Sequence, residues 1–127
     1  MAKTTARTGN KGDNGDGSLT SAQFHILLTL VEGEKHGYGI MLEIEERTSG
    51  AIELGPGTLY RSIKQLLARG WIVETGQADG LKASGGKPRR LYTLTQEGLL
   101  RTKEEAVRLK NLMAWAADAL VFEGGSS

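Results

Sequence analysis

The sequence contains no cysteine in 127 residues, which excludes disulfide scaffolds, zinc–thiolate sites and cysteine nucleophiles. No apolar run approaches the ~20 residues that a membrane-spanning helix needs. The N-terminus lacks the apolar stretch of a secretory signal, so we expect a cytoplasmic protein with no membrane partner. The two histidines, His25 and His36, are too few for a metal site. Since no Ser-His-Asp or paired-carboxylate arrangement stands out either, we expect no enzyme activity, no cofactor and no metal.

The two ends of the chain are poor in large apolar side chains. Residues 2–18 contain none and cannot bury enough surface to offset the entropy of ordering them. We therefore predict a flexible arm over residues 1–18 and a flexible tail over residues 123–127. The length between them is sufficient for a single hydrophobic core.

Apolar periodicity predicts three helices in the first half of the chain. Either Thr20 or Ser21 can cap the first helix, and residues 37–48 form the second. Residues 52–54 are predicted as a short strand. Pro56 suits the first turn of the third helix, and Gly70 suits the position just after its end.

A hairpin and a long helix follow in the second half. Residues 71–75 and 89–94 have strand composition and are joined by a polar loop. Thr95 can cap a helix that runs to about Phe122, which is ~39 Å at 1.5 Å per residue. This order predicts a mainly α protein with a small β-hairpin wing: a winged helix-turn-helix over residues 19–95 and a long dimerisation helix over residues 96–122.

The charge distribution is bipolar although the net charge is only +1. Residues 54–103 contain nine basic against three acidic residues, whereas residues 31–53 contain two basic against six acidic residues. The basic half coincides with the third helix and the hairpin. This is where a polyanion such as double-stranded DNA is expected to bind.

The last helix is too long to bury its apolar stripe against so small a domain. A second copy of the chain is the simplest partner, so we predict a homodimer. The predicted interface residues share a 3-4 spacing: Leu109, Leu112, Met113, Ala116 and Leu120. Trp115 lies in the same segment and is a candidate for stacking on a small aromatic effector.

Four motifs in order resemble the PadR family of bacterial transcriptional regulators. They are HGYGI at residues 36–40, LGPGTLYR at 54–61, LLARGWI at 66–72 and GKPRRLYTLT at 86–95. The resemblance covers roughly residues 19–122. It implies a winged-helix domain with one C-terminal dimerisation helix, which binds palindromic operator DNA and usually represses. Glu34 stands where the family commonly has proline, and the wing tip at residues 77–85 is longer and richer in glycine than usual.

The resemblance and the helical geometry together nominate the DNA-binding residues. By position, Tyr38 is expected near a phosphate. Helix geometry turns Gln65 outward together with the recognition-helix residues. The full predicted set is Tyr38, Thr58, Tyr60, Arg61, Lys64, Gln65, Lys87, Arg89 and Arg90. Some relatives bind flat drugs through a tryptophan between the dimerisation helices, but Trp115 lies further along the helix, so that site is not carried over.

Two functions are therefore expected from the sequence. The first is a homodimeric, sequence-specific repressor that binds an inverted-repeat operator. The alternative is a ligand-sensing or protein-docking module, in which the winged helix is a scaffold and a planar aromatic compound or a partner binds at the dimer seam.

Overall fold

The computed structural model describes residues 17–78 and 89–120. The predictions for residues 1–16, for the hairpin tip at 79–88 and for 121–127 fall outside this part of the chain. The described elements are α1 (Ser21–Leu30), β1 (Lys35–His36), α2 (Gly37–Arg47), α3 (Pro56–Ala68), β2 (Ile72–Ala78), β3 (Arg89–Leu94) and α4 (Gln96–Leu120). This mostly helical architecture with a small antiparallel sheet confirms the predicted fold class.

Capping residues define where the helices begin and end. Thr20 caps α1 in a reciprocal box with Gln23: each side chain accepts a hydrogen bond from the other residue's backbone N–H, at 3.0 and 2.9 Å. Pro56 occupies the first turn of α3, and Gly70 follows its end at a φ of +77°. The Gly98 N–H donates to the Thr95 hydroxyl at 2.9 Å, so Thr95 caps α4 as predicted.

The sheet has one strand that the sequence analysis located wrongly. The short strand is β1 at Lys35–His36, and no strand forms at residues 52–54. β1 pairs with β3, and β3 pairs with β2, in the order β1-β3-β2. Residues near 52 are tied to α2 instead, because the Ile52 N–H donates to the Thr48 hydroxyl at 3.0 Å. β2 also extends to Ala78, three residues beyond the prediction, and a bulge between Glu74 and Gly76 interrupts its register.

The hydrophobic core lies between the first three helices and the sheet. Its fully buried members include Ile26 and Leu27 of α1, Ile40 of α2 and Leu59 and Leu66 of α3. The apolar stripe predicted for α3 thus faces inward, which leaves the opposite side of that helix in solvent.

The long helix α4 packs on its own domain only through its first half. Gly98, Thr102 and Glu105 are its buried residues. In the described part of the chain, residues 17–78 and 89–120, no residue of α4 after Glu105 is buried. None of the helices in this part of the chain is long and apolar enough to cross a membrane.

Candidate nucleic-acid interface

The outer face of α3 carries the residues predicted to enter the major groove. Thr58, Arg61, Lys64 and Ala68 are all exposed, because the apolar stripe on the other side of the helix is buried in the core. Arg61 and Lys64 form no hydrogen bond or ion pair with the described residues. Their charges are therefore available to an anionic surface.

Tyr60 joins this face to the start of α2. Its ring lies so close to Gly37 that a Cβ there would be 2.5 Å from the phenol oxygen, so any larger residue at position 37 would displace the ring. The ring remains 49% exposed, and the neighbouring Tyr38 is also exposed. The two phenols thus flank the N-terminus of α2, where a helix favours negative charge.

His36 fixes the backbone at that point. The Gly39 N–H donates to His36 Nδ1 at 3.0 Å, which makes His36 the N-cap of α2. Together with His25 it gives the chain only two histidines, which are too few to form a metal site. No group of three or more ligand-type side chains suited to a metal occurs within residues 17–78 and 89–120.

Gln65 differs from the outward orientation expected for it. It is half-buried, and its Oε1 accepts a hydrogen bond from Gln23 Nε2 at 2.9 Å. Gln23 is fully buried, so the pair links α3 to the capped start of α1. The Thr-x-x-Gln spacing at residues 20–23 signals the cap, but nothing local in the sequence indicates the second bond to α3.

The base of the hairpin carries one described cation of the predicted DNA-binding set. Arg90 is exposed, and its guanidinium lies 3.8 Å from the Glu74 carboxylate. Lys87 is outside the described residues. Arg89 begins β3 opposite Ala78, and its side chain is also outside the described part of the structure.

Tyr92 connects the hairpin to α3. It is buried and pairs with Glu74 across the sheet. Burial raises the pKa of the Tyr92 phenol, and the charges of Glu74 and Tyr60 raise that pKa further while Arg90 lowers it. Glu74 therefore pairs with Tyr92 across the sheet and with the Arg90 guanidinium at the base of the hairpin.

The second half of α4 presents the residues predicted for the dimer interface. Leu109 and Ala116 are half-buried, whereas Leu112, Met113 and Leu120 are exposed. They continue the stripe that begins with the buried Gly98, Thr102 and Glu105, because the spacings of three and four residues repeat along one helix face. Trp115 is 68% exposed and is turned about 100° from Ala116 around the helix axis.

An ion pair with a buried carboxylate lies where α4 leaves the domain. It was not predicted from the sequence. Glu105 is only 4% exposed and accepts hydrogen bonds from Arg108 Nε and Nη2 at 3.2 and 2.6 Å. Arg101 is 3.6 Å away on the preceding turn. Hydrogen bonding from Arg108 holds the pKa of the Glu105 carboxyl below its ordinary value, although burial acts in the opposite direction.

Comparison with known proteins identifies relatives of this chain. The model of the transcriptional regulator PadR-like family matches residues 26–104. No curated protein matches the chain.

Solved structures share the fold. A transcriptional regulator from Clostridium thermocellum is 22% identical over 83% of this chain and 100% of that one, with a TM-score of 0.66. A PadR-like transcriptional regulator from Bacillus cereus is 20% identical over 80% and 92%, with a TM-score of 0.65. Bacillus subtilis PadR, solved in complex with operator DNA, is 24% identical over 69% of this chain and 48% of that one, with a TM-score of 0.60.

Proposed function

Because the chain belongs to the PadR-like family of transcriptional regulators, we propose that it acts as a homodimeric, sequence-specific repressor that binds an inverted-repeat operator. DNA-binding regulation, rather than catalysis, is the activity of the family. A regulator of this kind works where the chromosome lies, so the cytoplasm remains the expected location. We propose specifically that the protein is a homodimer, that its operator is an inverted repeat, and that its binding represses transcription.

The observation that carries the proposal is the pair of exposed cations on the outer face of α3, Arg61 and Lys64, which have no ion-pair partner among the described residues. Arg61 suits bidentate hydrogen bonding to the O6 and N7 atoms of guanine in the major groove. Lys64 lies one turn further along the helix and suits a phosphate, which contributes affinity without reading sequence. Tyr38, Tyr60 and Arg90 are assigned to the adjacent backbone. Tyr60 lies against the start of α2, which carries Tyr38, and Arg90 is an exposed cation of the hairpin.

The proposed dimer depends on the apolar stripe of α4. Leu112, Met113 and Leu120 are exposed in the single chain, and apolar surface of this kind is stabilised when a second copy covers it. Two-fold symmetry would then present two α3 helices. To read one face of B-DNA they must lie ~34 Å apart, about one helical turn.

The bound sequence is the direct test. In-vitro selection from random duplexes should return an inverted repeat with half-sites centred about one turn apart. The Arg61→Ala variant should return a more degenerate consensus at one position of each half-site. A selection that yields no consensus with the wild-type protein would contradict sequence-specific binding.

The exposure of Trp115 supports a second candidate function. An indole that is 68% exposed offers a stacking surface for a planar aromatic compound. Titration with planar cationic dyes should quench Trp115 fluorescence and change operator affinity if this site senses a ligand. Trp71 is nearly buried, so the Trp115→Phe variant supplies the matched background.

A further inference from the structure

One carboxylate lies among the cations of the proposed DNA-binding surface. Glu74 on β2 faces Tyr92 across the sheet and approaches the Arg90 guanidinium at 3.8 Å. Its side chain is 37% exposed and that of Arg90 is 67% exposed. The sequence of residues 54–103 contains only three acidic residues. Of the other two, Glu97 lies on α4 and Asp79 is outside the described residues.

The position of Glu74 is adverse to DNA binding. The salt-dependent part of DNA affinity comes from cations that neutralise phosphates, and Arg90 is the described basic side chain at the hairpin base. We propose that Glu74 is a restraint on DNA affinity, which competes with a backbone phosphate for the Arg90 guanidinium. This inference rests on the proposed function, since it assigns a role within the same surface.

The restraint acts equally on all duplexes. Arg90 is proposed as a contact to the DNA backbone, so the competition carries no sequence information. Base discrimination by Arg61 is unaffected. Glu74 therefore lowers the occupancy of operator and non-operator DNA alike and keeps the repressor readily dissociable.

The Glu74→Gln variant tests the proposal and preserves the shape of the side chain. Exposed ion pairs are weak, so we expect binding to operator and scrambled duplexes to tighten by about two- to fivefold at low salt. The gain should shrink as salt rises, because screening weakens exposed charge interactions. Fluorescence anisotropy on both duplexes measures it.

Glu104→Gln is the matched control. Glu104 is also exposed and lies 3.9 Å from an arginine, Arg101, but on α4. The Glu104→Gln substitution also removes one negative charge from an ion pair, but on α4 and away from the proposed DNA-binding surface. We therefore expect the affinity for DNA to stay unchanged. The gain from Glu74→Gln should also disappear in an Arg90→Gln background.

Three results would overturn the restraint. They are no gain from Glu74→Gln, an equal gain from Glu104→Gln, and an undiminished gain in the Arg90→Gln background. In each of these cases the wild-type protein still binds DNA, so the proposed function stands. A wild-type protein that binds neither duplex would refute both.

Discussion

Where α4 begins, Gly98 leaves no room for a side chain, and adding a single methyl group there should disrupt the packing of the helix. Gly98 packs against the backbone of Trp71 at the start of the hairpin. A Cβ at Gly98 would be 2.7 Å from the Trp71 carbonyl carbon and closer still to its oxygen. The same carbonyl accepts a hydrogen bond from the Thr95 N–H at 3.1 Å, so it cannot turn away freely. We therefore expect Gly98→Ala to destabilise the protein.

The magnitude follows from the size of the overlap. Non-bonded carbon atoms prefer separations of about 3.5–4.0 Å, so the new methyl group overlaps the carbonyl by about 1 Å. The methyl group would be attached to a helix and would meet the backbone just before β2, so relief requires α4 to move away from Trp71. Overpacking of this kind typically costs about 1–3 kcal/mol, and we expect the upper end of that range.

Urea unfolding followed by circular dichroism measures the effect at one fixed protein concentration, since dimerisation would otherwise shift the midpoint. Gly57→Ala is the matched control. Gly57 lies in the first turn of α3 with no neighbouring atom within 4 Å of an added Cβ, so alanine should be neutral or stabilising by up to about 1 kcal/mol. If Gly98→Ala is as stable as Gly57→Ala, the close packing of α4 on Trp71 is wrong.

Three further predictions address the DNA surface, the dimer and pH. Arg61→Ala should weaken binding to the operator by about 1–3 kcal/mol and binding to a scrambled duplex by less. Lys64→Ala should weaken binding to the two duplexes equally and reduce the slope of log affinity against log salt by about 0.9. Anisotropy titrations in which Lys64→Ala is the selective variant and Arg61→Ala the unselective one would contradict the assignment. Met113→Glu should yield monomers in light scattering, because it introduces a charge into the apolar stripe, and a persistent dimer would move the interface elsewhere. The pKa of Glu105 is lower in the folded chain than its ordinary value of 4.5, so its stabilising contribution is present above that pH and is lost as pH falls through the folded-state pKa. Glu105→Gln should therefore reduce the loss of stability as the pH falls below 4.5, and an unchanged pH profile of unfolding would refute it.

The sequence predicted the helices and hairpin well because their signals are local. Capping residues, the proline at residue 56 and the glycine at residue 70 each act on the turn that contains them. The exposed face of α3 also followed from helical periodicity alone, since a buried stripe fixes what lies opposite.

The errors concern contacts between distant residues. β1 has two residues, and it forms a strand only because β3, more than fifty positions later, offers an unpaired edge. The orientation of Gln65 depends on Gln23, which lies 42 positions away. The burial of Thr102 also depends on a distant contact, because Gly98 brings that part of α4 against Trp71. Local pattern cannot reveal such pairings.

The central claim is that two α3 helices of one dimer read two half-sites on the same face of the duplex. Inserting about 5 base pairs between the selected half-sites turns them to opposite faces, since one turn of B-DNA is about 10.5 base pairs. We predict that wild-type affinity then falls to near that of a single half-site. A second insertion of about 5 base pairs should not restore it, because the half-sites are then two turns apart and the proposed dimer spans only about one. Equal affinity for the original and the 5-base-pair-expanded operator would contradict the account.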